Sequence, residues 1–285
     1  MSEQHALQQA LQQAGERLGC DKVIPHGYHV HYARHLLHWW HQPLRLLEIG
    51  IGGEDRELGG ASLNMWHQVF EQAELYGLDI YPKQALDRPR LQTFVIDQGD
   101  PAALREFARQ HGPFDVIIDD GSHRRSDQLA SLFNLIEHVR PGGYYILEDY
   151  FTAYWPVYDG STLARDFLDT PVRWLKQTID IININNLLSE QVRRQVPNWK
   201  IDALHVYPGI AFIGKSHHSP PSEIPNEHFL LNQIELDELR YGIYKQLFFT
   251  HSRDPMQHLE ALLEIKKWVD ASIQTADEAL KPKSS

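Results

Sequence analysis

The sequence predicts an α/β fold on a mostly parallel sheet, and three features carry that expectation. From residue 44 short apolar runs alternate with amphipathic helical stretches. A Gly-rich turn, Gly50-Ile51-Gly52-Gly53, follows the first run, and two later runs end in the acidic pairs Asp119-Asp120 and Glu148-Asp149. Strands that are apolar throughout belong to a parallel sheet with helices on both faces. In such a sheet a ligand sits beyond the C-terminal ends of the strands, where the strand order reverses.

Ahead of the alternation, Leu7, Leu11 and Leu18 fall at helical spacing over residues 5–18, and Gly19 is placed to end that helix. The stretch from His26 to His41 holds six of the 17 histidines together with Trp39 and Trp40, and its spacing fits helix and loop alike. Scattered surface histidines, or a segment folding over the cofactor, are preferred there to a second metal site. Residues 44–49 form the first strand. Ser62 is expected to cap the next helix, whose Leu63, Trp66 and Phe70 share a face. Residues 75–80 and 91–96 are the second and third strands, with Asp79 near the end of the second. Asp100 and Pro101 supply an N-cap and first helical residue, Leu104, Phe107 and Ala108 a buried face, and Gly112 a stop. Residues 114–118 are the fourth strand. A helix carrying Leu129, Leu132, Phe133, Ile136 and Val139 then leads to a break at Pro141-Gly142-Gly143 and a fifth strand over 143–147.

Residues 151–200 interrupt the pattern with Tyr154-Trp155-Pro156 and a helical segment around 175–188. Residues 203–206 and 210–213, joined by Tyr207-Pro208-Gly209, read as a closing antiparallel hairpin. Residues 216–227 read as a linker. Two helices follow, the second with Asp254 as N-cap, Pro255 at its first position and Leu259, Leu262, Val269 and Ile273 on one stripe. The expected divisions are a helical, His- and aromatic-rich segment (1–42), a core (43–215) with an insertion at 151–200, and a linker with a C-terminal helical extension (216–285). The stripe suits homo-oligomerisation, and equally packing against its own domain.

Composition narrows the function. With 285 residues, 42% hydrophobic and 23% charged, the chain is globular, and its net charge of −11 argues against a nucleic-acid partner. A lone Cys20 excludes an internal disulfide and a Cys-rich zinc site. The first residues lack the basic-then-apolar run of a secretory signal, and no stretch is long enough to span a bilayer, so a cytoplasmic location is expected.

The glycines after the first strand let backbone N–H groups approach a ligand. Glu48, inside the strand end before them, would repel a pyrophosphate but not a cationic ligand. Asp79 is placed to accept from ribose hydroxyls, and Asp97-Gln98 to meet an adenine edge. Alone, Asp79 reads equally as a solvated acid; together these features point to S-adenosylmethionine, a ribose and adenine ligand with a sulfonium. Asp120 and Glu148 end strands one strand–helix–strand unit apart, so their side chains can converge with Asp149. Carboxylates that converge without basic partners call for a hard divalent cation. Mg²⁺ fits better than zinc, since His123 is the only imidazole nearby, and Mn²⁺ is equally allowed. The residue type of His123 suits a general base near neutrality. Ser122 is no hydrolase nucleophile, because no Gly-x-Ser-x-Gly elbow is present. Tyr150, Tyr154 and Trp155 follow the acid pair, where aromatic rings either stack on a sugar or form a lid on the sheet.

Over residues 18–215 the chain resembles the metal-dependent class I sugar O-methyltransferases of natural-product biosynthesis, specifically the macrolide-sugar type. The matching motifs are Cys20-Asp21-Lys22, residues 47–53, Gly60-Ala61-Ser62, residues 117–123, and Glu148-Asp149 with Thr152-Ala153-Tyr154-Trp155. The resemblance implies a Rossmann-like class I methyltransferase sheet, with Asp120, Glu148 and Asp149 as magnesium ligands and His123 as catalytic base. It implies cofactor contacts at Glu48, Gly50, Gly52 and Asp79, to which Ser62, Asp97, Gln98 and Asp119 are added. Members act on hydroxyls of hexose units and are commonly oligomers. This sequence departs in lacking the large N-terminal domain of the macrolide enzymes and in its helical segment from about residue 228. The expected function is an S-adenosylmethionine-dependent, Mg²⁺-assisted O-methyltransferase acting on a sugar hydroxyl of a glycan or glycosylated natural product. The rivals are a catechol or polyketide-phenol acceptor, and a non-catalytic cofactor-binding subunit whose helical tail recruits a partner.

Overall fold

The apolar runs become the strands of one sheet in a computed structural model of the chain, which describes residues 2–52, 59–161, 169–187, 193–194, 196–218 and 267. Gly53, the linker beyond residue 218 and the stripe residues Leu259, Leu262, Val269 and Ile273 lie outside the described residues. Strands β1 (Leu44–Ile49), β2 (Ala73–Asp79), β3 (Leu91–Val95), β4 (Phe114–Asp119) and β5 (Val139–Glu148) run parallel. The hairpin β6 (Ile201–Tyr207) and β7 (Ile210–Lys215) closes the sheet, with β7 antiparallel to β5. Among the described residues the order is β3-β2-β1-β4-β5-β7-β6. Chain order reverses between β1 and β4, so the crevice for a ligand opens beyond the ends of those two strands.

Alternation along each strand sorts its side chains into two cores. On one face Leu44, Leu46, Val116, Ile118 and Ile146 pack with Leu7, Leu11, Tyr32, Trp66 and Phe70. These last come from α1 (Glu3–Leu18), α2 (His29–His35) and α3 (Ala61–Val69) with its C-cap Phe70. On the other, Leu47, Ile49, Ile117, Tyr145 and Leu147 pack with Leu104, Phe107, Leu132 and Leu175. Those belong to α4 (Pro101–His111), α5 (Arg125–Leu135) and α6 (Pro171–Ile182). The N-terminal helix therefore shares a core with the sheet. It starts where the Ser2 side chain accepts from the His5 amide and ends at Gly19 with φ 68°.

Four local expectations change. Gly60, at φ 73°, is the N-cap of α3; Ser62 lies inside the first turn, where its hydroxyl bonds Glu48 instead. Val139 opens β5 rather than closing α5, because it pairs with Phe114, and residues 140–143 are accommodated as a register shift anchored by Arg140 on Asp115 at 3.0 Å. Residues 26–41 are neither one helix nor a loop but α2 followed by a 3-10 turn, Leu37–Trp39. The segment around 175–188 begins earlier, at Pro171, since Thr170 caps it by accepting from the Arg173 amide. No described helix is long and apolar enough to cross a membrane. Asn186–Arg194 and Ser222–Ser285 belong to a second unit, of which residues 186, 187, 193, 194 and 267 are described.

Candidate active site

Period-two alternation puts Glu48, Asp120 and Glu148 on the face shared with Leu46, Ile118 and Ile146. There they meet a cation. Lys22, between α1 and α2, is fully buried, and its Nζ lies 3.2 Å from Glu48 Oε1, 3.0 Å from Glu148 Oε1 and against Asp120 Oδ2. The converging carboxylates thus have the basic partner that the sequence reading denied them. Burial works to lower the Lys22 pKa, but attraction from Asp120, Glu148 and Glu48 outweighs it and holds the ammonium well above its ordinary range. Tyr32 donates to Glu148 Oε1, and Trp66 Nε1 donates to Glu48 Oε2 at 3.1 Å. Burial pushes Glu48 up to about 7 although Lys22 opposes it. Glu48 therefore faces an internal ammonium, not the open side of the Gly-rich turn where a sulfonium was expected.

On the outer side of this cluster Asp120, His123 and Asp149 each offer a ligand atom, all within 4.8 Å of one another. His123 Nε2 lies 3.9 Å from Asp120 Oδ1 and 3.7 Å from Asp149 Oδ2. His123 and Asp149 both adopt left-handed backbone, at φ 57° and 49°. Asp and His tolerate that conformation better than most residues. The Thr152 hydroxyl secures both, lying 2.8 Å from the His123 carbonyl and 2.9 Å from that of Asp149. Tyr28 donates to Asp149 Oδ1 at 2.6 Å, which leaves Oδ2 toward His123. The two carboxylate oxygens suit a hard divalent cation, with the imidazole of His123 beside them. Glu148 is brought to the inner cation instead, its oxygens engaged by Lys22 and Tyr32.

Asp119 points to the opposite face. It is fully buried and accepts from Gln98 Nε2 at 2.6 Å, from the Tyr145 hydroxyl at 2.8 Å and from Ser131. Gln98 also bonds Ser131 and accepts from the Ser122 amide at 2.9 Å, so its side-chain amide is taken up by the protein rather than turned to an adenine edge. Asp97 is exposed and accepts from the Gly99 amide at 2.7 Å.

The Gly-rich turn is shaped by contacts that forbid side chains. A Cβ on Gly50, at φ 82°, would fall 2.1 Å from the Asp120 carbonyl oxygen, and one on Gly52 would fall 2.6 Å from Asp79 Oδ2. Asp79 accepts from the Tyr81 amide at 2.9 Å and the Ile51 amide at 3.3 Å, which ties the end of β2 to the turn after β1. A partly exposed carboxylate held this way retains acceptor capacity for hydroxyls. Of the aromatic residues, Tyr150 spends its hydroxyl on the Tyr207 carbonyl at 2.8 Å. Tyr154 and Trp155 are exposed, and Trp155 packs on Tyr158, whose ring stands edge-on to His123 at 6.3 Å.

Known proteins share this arrangement of chain. Mycinamicin VI 2''-O-methyltransferase of Micromonospora griseorubida is 40% identical over 209 residues, 71% of this chain and 52% of that one. The 8-demethyl-8-alpha-L-rhamnosyl tetracenomycin-C 2'-O-methyltransferase of Streptomyces olivaceus is 37% identical over 205 residues, 71% of this chain and 54% of that one. The MycE methyltransferase of the mycinamycin biosynthetic pathway, solved in complex with Mg and SAH, matches at TM-score 0.70 and 38% identity over 79% of this chain and 60% of that one. The chain is a homologue of sugar O-methyltransferases. Its sheet matches the Rossmann-like, class I methyltransferase fold of the MycE structure. The chain spans about half the length of the relatives it matches in sequence. No family model matches it.

The site of this chain includes residues that the sequence pattern does not single out. Lys22 stood in a matching motif, but nothing in its neighbourhood signals a partner 98 residues away. Tyr28 and Tyr32 lay in a stretch read as histidine-rich, although their spacing of four puts both on one side of a helical turn. Ser131 and Tyr145 read simply as core positions.

Proposed function

We propose that this chain is an S-adenosylmethionine-dependent, Mg²⁺-assisted O-methyltransferase that acts on a sugar hydroxyl of a glycosylated natural product. The observation that carries the reading is the convergence of Asp120, His123 and Asp149 within 4.8 Å beside the reversal in strand order. Homology to enzymes named for methylation of rhamnosyl tetracenomycin and mycinamicin supports the acceptor class. The solved relative in complex with Mg, SAH and mycinamycin VI supports the cofactors.

In this reading Asp120 and Asp149 supply oxygens to the cation and Glu148 backs them from the inner side. Bound there, the cation would lower the charge developing on the acceptor oxygen. Asp79 receives the ribose hydroxyls, and the turn at Gly50 and Gly52 lets backbone amides approach the cofactor. His123 takes the hydroxyl proton at Nε2, which lies 3.9 Å from Asp120 Oδ1 and 3.7 Å from Asp149 Oδ2. S-adenosylmethionine, when bound, would supply the methyl group to the acceptor oxygen, its sulfur keeping the electron pair of the broken carbon–sulfur bond. Tyr154 and Trp155, exposed beside Tyr158, offer apolar ring faces to the sugar or its aglycone. We assign residues 43–215 to the catalytic core and 216–285 to an extension, place the protein in the cytoplasm, and infer a homo-oligomer from the sequence spacing of Leu259, Leu262, Val269 and Ile273.

The test is methyl transfer from S-adenosylmethionine to a panel of desmethyl glycosylated macrolides and tetracenomycins, with Mg²⁺ and with EDTA. Activity is expected with Mg²⁺ only, and His123→Ala is expected to lower kcat by about 10²–10⁴-fold while S-adenosylhomocysteine still binds. Folded wild type that fails to bind S-adenosylhomocysteine would overturn the assignment.

A further inference from the structure

We propose that Lys22 is a positioning residue for the metal site: its buried ammonium clasps Asp120 and Glu148 from within, so that the second oxygen of Asp120 is presented alongside Asp149. The inference rests on the metal reading above and extends it to a residue on a different part of the chain.

The Lys22 ammonium donates to Asp120 Oδ2 and to Glu148 Oε2 at 3.0 Å, and lies 3.2 Å from Glu48 Oε1 as an ion pair. The anchor is firm at its other end. Cys20 and Val23 are buried on either side, the Cys20 amide donates to the Gly15 carbonyl at 2.9 Å, and the His29 amide donates to the Lys22 carbonyl at 3.1 Å. The Lys22 backbone is thus tied to α1 and α2, apart from the sheet that carries the acids its ammonium meets. Asp120 is divided between two jobs, with Oδ2 on Lys22 and Oδ1 toward His123 at 3.9 Å. Holding one oxygen determines where the other points, because a carboxylate is planar and rigid. Glu148 is held likewise by Lys22 and Tyr32, and the next residue, Asp149, is the other acid of the outer group.

Positioning and mere charge compensation predict opposite results. A cation that only offsets negative charge competes electrostatically with a metal, so its removal would tighten metal binding. A cation that orients the ligands would weaken binding when removed, as groups behind metal ligands do.

The experiment is calorimetric titration of the full chain with Mg²⁺ alone, on wild type, Lys22→Met and the charge-balanced double variant Lys22→Met/Glu48→Gln. Both variants are expected to show a Kd about 10- to 100-fold above wild type. Lys22→Met should still bind S-adenosylhomocysteine in EDTA. If the single variant does not fold, the double variant carries the comparison, since it removes one buried charge of each sign. Mg²⁺ affinity that is unchanged or tighter in either folded variant overturns the inference and leaves Lys22 as a counter-charge. Wild type that binds S-adenosylhomocysteine but no Mg²⁺ would instead overturn the metal reading on which the inference rests.

Discussion

Asp119 and Asp120 are neighbours in the chain and live in different chemistry. Strand alternation sends Asp119 into the α5 side of the sheet and Asp120 to the opposite side. Asp119 is surrounded by neutral donors from Ser131, Tyr145 and Gln98, and burial still pushes its pKa up to about 6. Asp120 is held by the Lys22 ammonium and opens toward His123. A buried carboxylate can thus be accommodated by hydrogen bonds, which fix it in place as structure, or by a cation, which leaves an oxygen available for chemistry. Residue type is the same in both; the partner decides the role.

The largest expected effect separates the two acids by metal affinity. Asp120→Asn should weaken Mg²⁺ binding by more than the roughly 10- to 100-fold typical of supporting residues, whereas Asp119→Asn should leave it unchanged. Equal losses by calorimetry would erase the distinction.

A second effect is in stability, to which Asp119 contributes beside Glu48, whose carboxyl burial also raises, to about 7. The folded pKa of Asp119, about 6, stands above the ordinary 3.8, so between those values the native state binds more protons than the unfolded chain. Stability is therefore lost as pH rises from about 4 to about 6, by roughly 3 kcal/mol at about 1.4 kcal/mol per unit. Asp119→Asn should remove that share of the fall in denaturant unfolding measured across the window and leave the share that Glu48 contributes. A wild-type profile parallel to that of the variant would show that Asp119 is ionised without cost.

The smallest effect tests the neutral donors one at a time. Tyr145→Phe removes one hydroxyl from Asp119 and should cost about 1.5–3 kcal/mol in unfolding free energy, with Mg²⁺ affinity untouched. A change in Mg²⁺ affinity would mean that the two faces communicate through β4.

Legibility in the sequence follows the range of the interactions involved. The strands, the Gly19 stop and the Asp100-Pro101 helix start were readable because propensity, caps and alternation act within a few residues. Ser62 misled because a serine hydroxyl serves a cap or a buried acid equally well, and Glu48 was near enough to claim it. Val139 misled because an apolar residue fits the end of an amphipathic helix as well as a strand pairing with Phe114. Gln98 was placed at the right strand end, but which way its amide points depends on Asp119, Ser131 and the Ser122 amide, all remote in sequence.

By itself the sequence determined the parallel sheet, the crevice at its reversal and the presence of His123 and five acids, Glu48, Asp119, Asp120, Glu148 and Asp149, at strand ends, since each follows from local pattern and chain order. Only the tertiary structure decided how those acids are divided. It brought Lys22, Tyr28 and Tyr32 from the N-terminal segment onto Glu48, Glu148, Asp120 and Asp149, and it turned Asp119 away from them. The physical reason is that a buried charge is settled by whichever partner lies within about 3 Å of it, at a cost of several kcal/mol if none does. Such a partner can come from any point along the chain, and only packing selects it.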